Sequence, residues 1–383
     1  MKSFTYEMPV KVYFGERSAQ MHLVKALAQY GPNVMLAYGK GSIKRNGIYD
    51  EIVSLLKAAH KNIIDFPNIP SNPTYTKVCE GIDLYRKNKI DLILAVGGGS
   101  VIDCVKVIAA GVYEEGDLWE EQIEKNHVQT KMGKYAVVLT ISGAGAEMDC
   151  LGAITHEEKQ EKKTFVGPYA QFVIMDPTYL MGIPLSSFMP GAFDSLTHCL
   201  ETYFGQTYNV SDAMNEGLMR DIVENMRLLA LGEDSLEVRS NLMWDAALVQ
   251  TFLFNIGKPG DFQAHKIENT LGAYSHGTHG KQLAVILPAY YQHIWHEDVE
   301  KFARMARNVL GIRHENDTEA AKLGLETLNQ LIVECKLPTS FEQLGYDLQP
   351  EVARAVADKC DISTGSVRPL TRDEIYQLLL DCR

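Results

Sequence analysis

The apolar positions in the first half of the chain come in short unbroken blocks. Asn33–Tyr38 and Asp91–Val96 are the clearest, and Asn62–Asp65 and Tyr135–Leu139 add two more. Between them, Ile43–Ala59, Thr74–Lys87 and Val101–Ala110 carry apolar residues at helical spacing. Continuous apolar strands separated by helices predict a parallel sheet covered on both faces. From Pro184 onward the spacing is mostly three and four, and strand-like blocks disappear. The pattern therefore predicts an α/β domain over 1–183 and an all-helical domain over 184–383. The charged run Glu157–Lys163 reads as a solvated turn or hairpin. No internal repeat or low-complexity segment is found.

Composition narrows the picture a little. A chain of 383 residues suits two or three domains, and 46% hydrophobic residues suffice for large cores. The net charge of -12 disfavours nucleic acid and anionic membrane as partners. Seven cysteines, an odd number and with no Cys-x-x-Cys pair, predict reduced thiols and a cytoplasmic location. No signal-peptide core is read at the start, and no stretch approaches the roughly 20 apolar residues of a spanning helix.

Two glycine-rich turns carry candidate chemistry. Gly97, Gly98, Gly99 and Ser100 follow the strongest strand and open a helix. Glycines there let the backbone approach a pyrophosphate, and the helix amino-terminus offers free N–H groups and partial positive charge. A ligand-free turn is the plainer alternative. The spacing puts Asp103 and Lys106 on one face of that helix, where Lys106 meets phosphate or substrate, or is simply a surface lysine. The first strand ends in Gly39, Lys40, Gly41 and Ser42. A site for NAD would place an acid here for the ribose hydroxyls. This turn has a cation and a hydroxyl instead, which suits the 2′-phosphate of NADP(H), with Lys44 and Arg45 as further charge; a plain basic turn is the alternative.

Asp194 and His198 stand one helical turn apart, and His265 and His279 lie in a later glycine-punctuated stretch. One carboxylate and three imidazoles suit Fe²⁺ or Zn²⁺, with Ni²⁺ or Co²⁺ also acceptable. They leave a net charge near +1 around a divalent ion, which can act as a Lewis acid on a carbonyl. Taken alone, the Asp194–His198 pair reads more readily as a helix-surface pair, and each isolated histidine as structural.

Taken in order, these segments resemble the iron-containing (group III) alcohol dehydrogenases. The resemblance runs from Val12-Tyr13-Phe14-Gly15 through the two glycine turns and Met175-Asp176-Pro177 to the metal motifs and Leu283–Pro288. It is strongest to the NADPH-dependent branch of butanol dehydrogenases and broad-range aldehyde reductases. The family implies a Rossmann-like dinucleotide-binding domain, an all-α metal-binding domain and a dehydroquinate synthase-like architecture. It also implies a homodimer and a small aldehyde or primary alcohol as substrate. Carried over by position, Asp194, His198, His265 and His279 are the metal ligands, and Gly97–Ser100 is the phosphate turn. Asp103 takes the place of an aspartate near nicotinamide and substrate, Thr140 borders the cofactor, and Lys162 contacts it. Asp103, His265 and His279 are the expected catalytic residues. Two positions depart from the family. Asn269 stands where relatives often carry a histidine near the nicotinamide. Ala144-Gly145-Ala146-Glu147 replaces a Thr-Gly-Ser-Glu-like turn. A polyol dehydrogenase using NAD and a non-catalytic nucleotide-binding relative are the alternatives.

Overall fold

The computed structural model describes residues 2–275 and 277–383. Two compact units emerge, one made of 7–183 and the other of 184–383 together with the first residues of the chain. The Lys2 N–H donates to Gly257 O at 3.0 Å, which ties that first segment to the second unit.

Six parallel strands form the sheet of the first unit. They are β1 (Lys11–Phe14), β2 (Asn33–Tyr38), β3 (Asn62–Phe66), β4 (Leu92–Gly97), β5 (Tyr135–Leu139) and β8 (Phe172–Met175). Their order across the sheet is β1-β8-β5-β4-β2-β3. An antiparallel hairpin, β6 (Leu151–His156) with β7 (Glu161–Val166), stands apart from it. The helices are α1 (Ser18–Leu27), α2 (Ser42–Arg45), α3 (Ile48–Ala58), α4 (Tyr75–Asn88) and α5 (Gly99–Gly111). Side chains of a strand alternate between faces. Val34, Leu36, Leu92, Leu94, Val96 and Val138 pack one face against Leu23, Leu27, Ile52 and Leu56 of α1 and α3. Helix α5 packs along β4 and β5.

The single helix expected over 43–59 is two helices. Gly47, at φ 82°, separates α2 from α3 in a left-handed conformation that glycine adopts without strain. Strands β1 and β8, of four residues each, are not among the apolar blocks read from the sequence. The charged run 157–163 spans the exposed turn of the hairpin and the start of β7.

The second unit is helical throughout its described residues. Its helices are α6 (Leu185–Tyr203), α7 (Val210–Ala230), α8 (Leu236–Val249), α9 (Gln263–Ser275), α10 (His279–Ile294), α11 (Val299–Asn308), α12 (Asp317–Glu334), α13 (Pro350–Lys359) and α14 (Arg372–Asp381). Asn209 and Asp212 form a capping box at the start of α7, and Thr371 and Glu374 form another at α14, which satisfies end N–H groups that would otherwise be orphaned. No described helix is long and apolar enough to cross a membrane, and all seven cysteines are free.

Candidate metal centre and nucleotide turns

In the first unit, the chain leaves β2 toward β3 on one side and leaves β4 toward β5 on the other. The gap between β2 and β4 is therefore the switch point of the sheet, where open α/β sheets take their ligands at the carboxyl ends of the strands. Gly39–Ser42 follows β2 and Gly97–Ser100 follows β4, so both predicted turns sit at this point. The loop after β3 joins them. Asn68 N donates to Gly39 O at 3.2 Å, and the Ser100 hydroxyl donates to Ser71 O. Thr140 N donates to Gly97 O at 3.0 Å, which sets Thr140 beside the same turn.

The glycines of this turn differ in purpose. A β-carbon on Gly98 would come within 2.2 Å of the Ile141 side chain, so Gly98 serves close packing. Gly99 has open space on that side, its nearest neighbour being the Ala146 methyl at 4.0 Å. Gly99 is thus where a ligand can come close to the backbone, and Ala146, the family-deviating position, borders it. Helix α5 starts here with no side-chain cap, which leaves its first N–H groups for an anion. Lys40 is exposed, whereas Lys44 lies 4.5 Å over the Tyr49 ring and 5.0 Å over Tyr38.

Lys106 meets neither expectation placed on it. It is fully buried and donates to Ala146 O at 2.8 Å, Leu151 O at 2.6 Å and the Asp149 carboxylate. It ties α5 to the 144–151 turn and to the hairpin, and it has no path to phosphate. Asp103, one turn earlier, accepts from Ala153 N at 3.3 Å. Burial pushes its carboxyl up to about 6, against the opposing charges of Lys106 and, more weakly, Lys162 on β7. Asp103, Lys106 and Lys162 thus share one corner of the unit. Burial also raises Glu147 to about 7.

In the second unit, Asp194 and His198 on α6 meet His265 on α9 and His279 at the first position of α10. Three imidazole Nε2 atoms approach a single oxygen, Asp194 Oδ1: His265 at 3.4 Å, His198 at 3.6 Å and His279 at 3.7 Å. Donor atoms of Asp194, His198 and His265 lie within 4.8 Å of one another, an arrangement able to hold a metal ion. Asp194 Oδ1 is buried and has no hydrogen-bond partner. A buried carboxylate oxygen left without a hydrogen bond is costly, and a cation would relieve it. Borderline nitrogen and hard oxygen donors suit a divalent transition ion, so these residues fit a metal.

Gly280 makes the arrangement possible. A β-carbon there would come within 2.0 Å of Pro190 O, so α6 and α10 touch backbone to backbone one residue from His279. Phe262, held at φ 55°, sets its ring 6.0 Å from that of His198 and 5.9 Å from that of His265. The field of the site favours positive charge. Burial raises Asp194, but His279 and the other imidazoles outweigh it and hold the carboxyl well below the usual range. Burial and the neighbouring His265 push His198 down to about 3. Burial works against protonation of His265 too, yet Glu201 and Asp194 raise it to about 10.

Three further residues complete the surroundings. Glu201 accepts from His265 Nδ1, Glu268 accepts from His279 Nδ1, and the Gln250 amide nitrogen lies 3.2 Å and 3.1 Å from the two ring nitrogens of His198. The sequence expectation of a site charge near +1 counted the ligands alone. Two more carboxylates lower that formal count to about -1.

A family model described as iron-containing alcohol dehydrogenase matches 9–177, and its carboxyl-terminal counterpart matches 188–382. The chain belongs to the iron-containing alcohol dehydrogenase family. It is 33% identical to NADH-dependent butanol dehydrogenase A of Clostridium acetobutylicum, over 99% of both chains. It is 27% identical to the NADPH-dependent aldehyde reductase YqhD of Escherichia coli, over 91% of this chain and 90% of that one. The crystal structure of NADH-dependent butanol dehydrogenase A from Thermotoga maritima superposes with a TM-score of 0.93 at 29% identity, over 100% of this chain and 99% of the other. The parallel sheet and helical second unit are thus the fold of this family of oxidoreductases, and the cluster around Asp194 is its candidate metal site.

Proposed function

We propose that this alcohol dehydrogenase is an NADP(H)-linked reductase of a small aldehyde, reversible to the primary alcohol. A single divalent ion would sit on Asp194, His198, His265 and His279. The observation that carries this reading is the buried Asp194 Oδ1, which has no hydrogen bond and on which three Nε2 atoms converge. Fe²⁺ or Zn²⁺ suits these donors, and Ni²⁺ or Co²⁺ also fits them. Bound there, the ion supplies Lewis-acid polarisation of a carbonyl oxygen.

The remaining work falls to residues of the first unit. The backbone at Gly99 and the uncapped start of α5 seat the pyrophosphate. Lys40 and Ser42 receive a 2′-phosphate, and the absence of an acid from Gly39–Ser42 favours NADP(H) over NAD(H). The relatives named above include users of both cofactors, so the choice rests on the turn itself. Asp103 and Lys162 are the charged groups proposed to face the nicotinamide side. Asn269 cannot titrate, so the proton that completes reduction comes through water.

The test is aldehyde-dependent oxidation of NADPH and of NADH by protein stripped of metal and then reloaded with each ion in turn. Activity that vanishes on stripping, returns on loading and is faster with NADPH supports the reading. Full activity in thoroughly stripped protein would falsify it. A preference for NADH with a diol would move the assignment to a polyol dehydrogenase.

A further inference from the structure

The sequence places a glutamate three residues after each of two candidate ligands, as His198 and Glu201 on α6 and as His265 and Glu268 on α9. Residues three apart share a helix face. In the fold, neither glutamate serves the histidine of its own helix. Glu201 reaches across to Nδ1 of His265, and Glu268 reaches across to Nδ1 of His279. Helices α6 and α9 thus each contribute a ligand to the cluster and a carboxylate to the histidine of the next ligand-bearing helix.

Both glutamates are held for this task. Glu201 is 0% exposed and also accepts from Ala264 N at 2.8 Å and His265 N at 3.2 Å, which fixes its carboxylate against the start of α9. Glu268 is 1% exposed. In the neutral imidazole that ligates a metal, a carboxylate that accepts from Nδ1 holds the proton there and leaves the lone pair on Nε2. In both rings Nε2 is the atom turned toward Asp194 Oδ1. His198 differs, having the amide of Gln250 beside its ring in place of a carboxylate.

We propose that Glu201 and Glu268 are positioning residues for the metal. They lock the Nε2-ligating tautomer of His265 and His279 and couple α6, α9 and α10 into one preformed seat. This rests on the proposed metal role of the four ligands. The chemistry needs both carboxylates, because the ring orientation of each histidine depends on a residue from another helix.

The experiment measures Zn²⁺ and Co²⁺ affinity by competition with a chelator. It compares the full-length parent, Glu201→Gln, Glu268→Gln and the double variant, with circular dichroism of each apoprotein as the check on folding. Each single variant is expected to bind both ions about 10–100-fold more weakly. The visible spectrum of bound Co²⁺ should change, and NADPH binding should not. Glu268→Gln stands as the second arm if Glu201→Gln does not fold. Folded variants with parental affinity and an unchanged Co²⁺ spectrum overturn the positioning role while leaving the metal assignment intact. A parent that binds neither ion overturns both.

Discussion

Asp194 keeps a buried oxygen without a hydrogen bond, and three imidazoles are turned toward it. Removing one imidazole should therefore harm chemistry more than folding. His279→Ala is expected to lower aldehyde reduction by about 10³-fold, since metal polarisation is worth several kcal/mol. NADPH binding, followed by its fluorescence, should be unchanged, and the far-ultraviolet spectrum should match the parent. At this scale the four candidate ligands could be picked from the chain because Asp, His, His and His are a recognisable donor set. Glu201 and Glu268 could not, because a glutamate on a helix ordinarily marks a solvated face. The repeated His-x-x-Glu spacing was the only trace of them. Lys106 shows the opposite limit: its spacing from Asp103 was legible, but its depth was not, since only the tertiary fold decides that a lysine is enclosed by two carbonyls and a carboxylate.

Helices and strands were legible where apolar runs were long. Strands β2, β4 and β5 are entirely or almost entirely buried along their length, and the sequence shows them as unbroken blocks. β1 and β8 are too short for periodicity, and β6 and β7 mix polar with apolar residues because the hairpin is partly exposed. The five-residue π-turn Glu120–Glu124 leaves no sequence pattern at all. The order of strands, which places both glycine turns at the switch between β2 and β4, depends on pairing between distant segments. The close approach of α6 and α10 is equally invisible in sequence, and it makes a sharp prediction. Gly280→Ala puts a methyl against Pro190 O, which backbone geometry does not allow to retreat. The substitution should cost about 1–3 kcal/mol in urea unfolding, the usual penalty of overpacking. It should also weaken metal binding by displacing His279.

For the molecule as a whole, buried acids set the pH response. Burial and the adjacent Asp221 raise Asp245, on α8, to about 8, and its Oδ2 has no hydrogen-bond partner. A carboxyl whose folded pKa lies above its unfolded value of roughly 3.9 stabilises the fold at low pH. That contribution is lost as pH rises toward the folded value. Asp245→Asn should therefore raise the melting temperature, by a margin that grows between about pH 5 and 8 and then levels off. A constant or shrinking margin across that window would remove Asp245 from the pH response. Lys106 in one unit and Lys258 in the other have side chains with no solvent exposure, each anchored to a carboxylate, Asp149 and Asp212. An amine-directed label can reach them only when the surrounding packing opens. Their slow acquisition of label, read peptide by peptide by mass spectrometry, would act as two internal clocks that time the opening of each half of the protein separately.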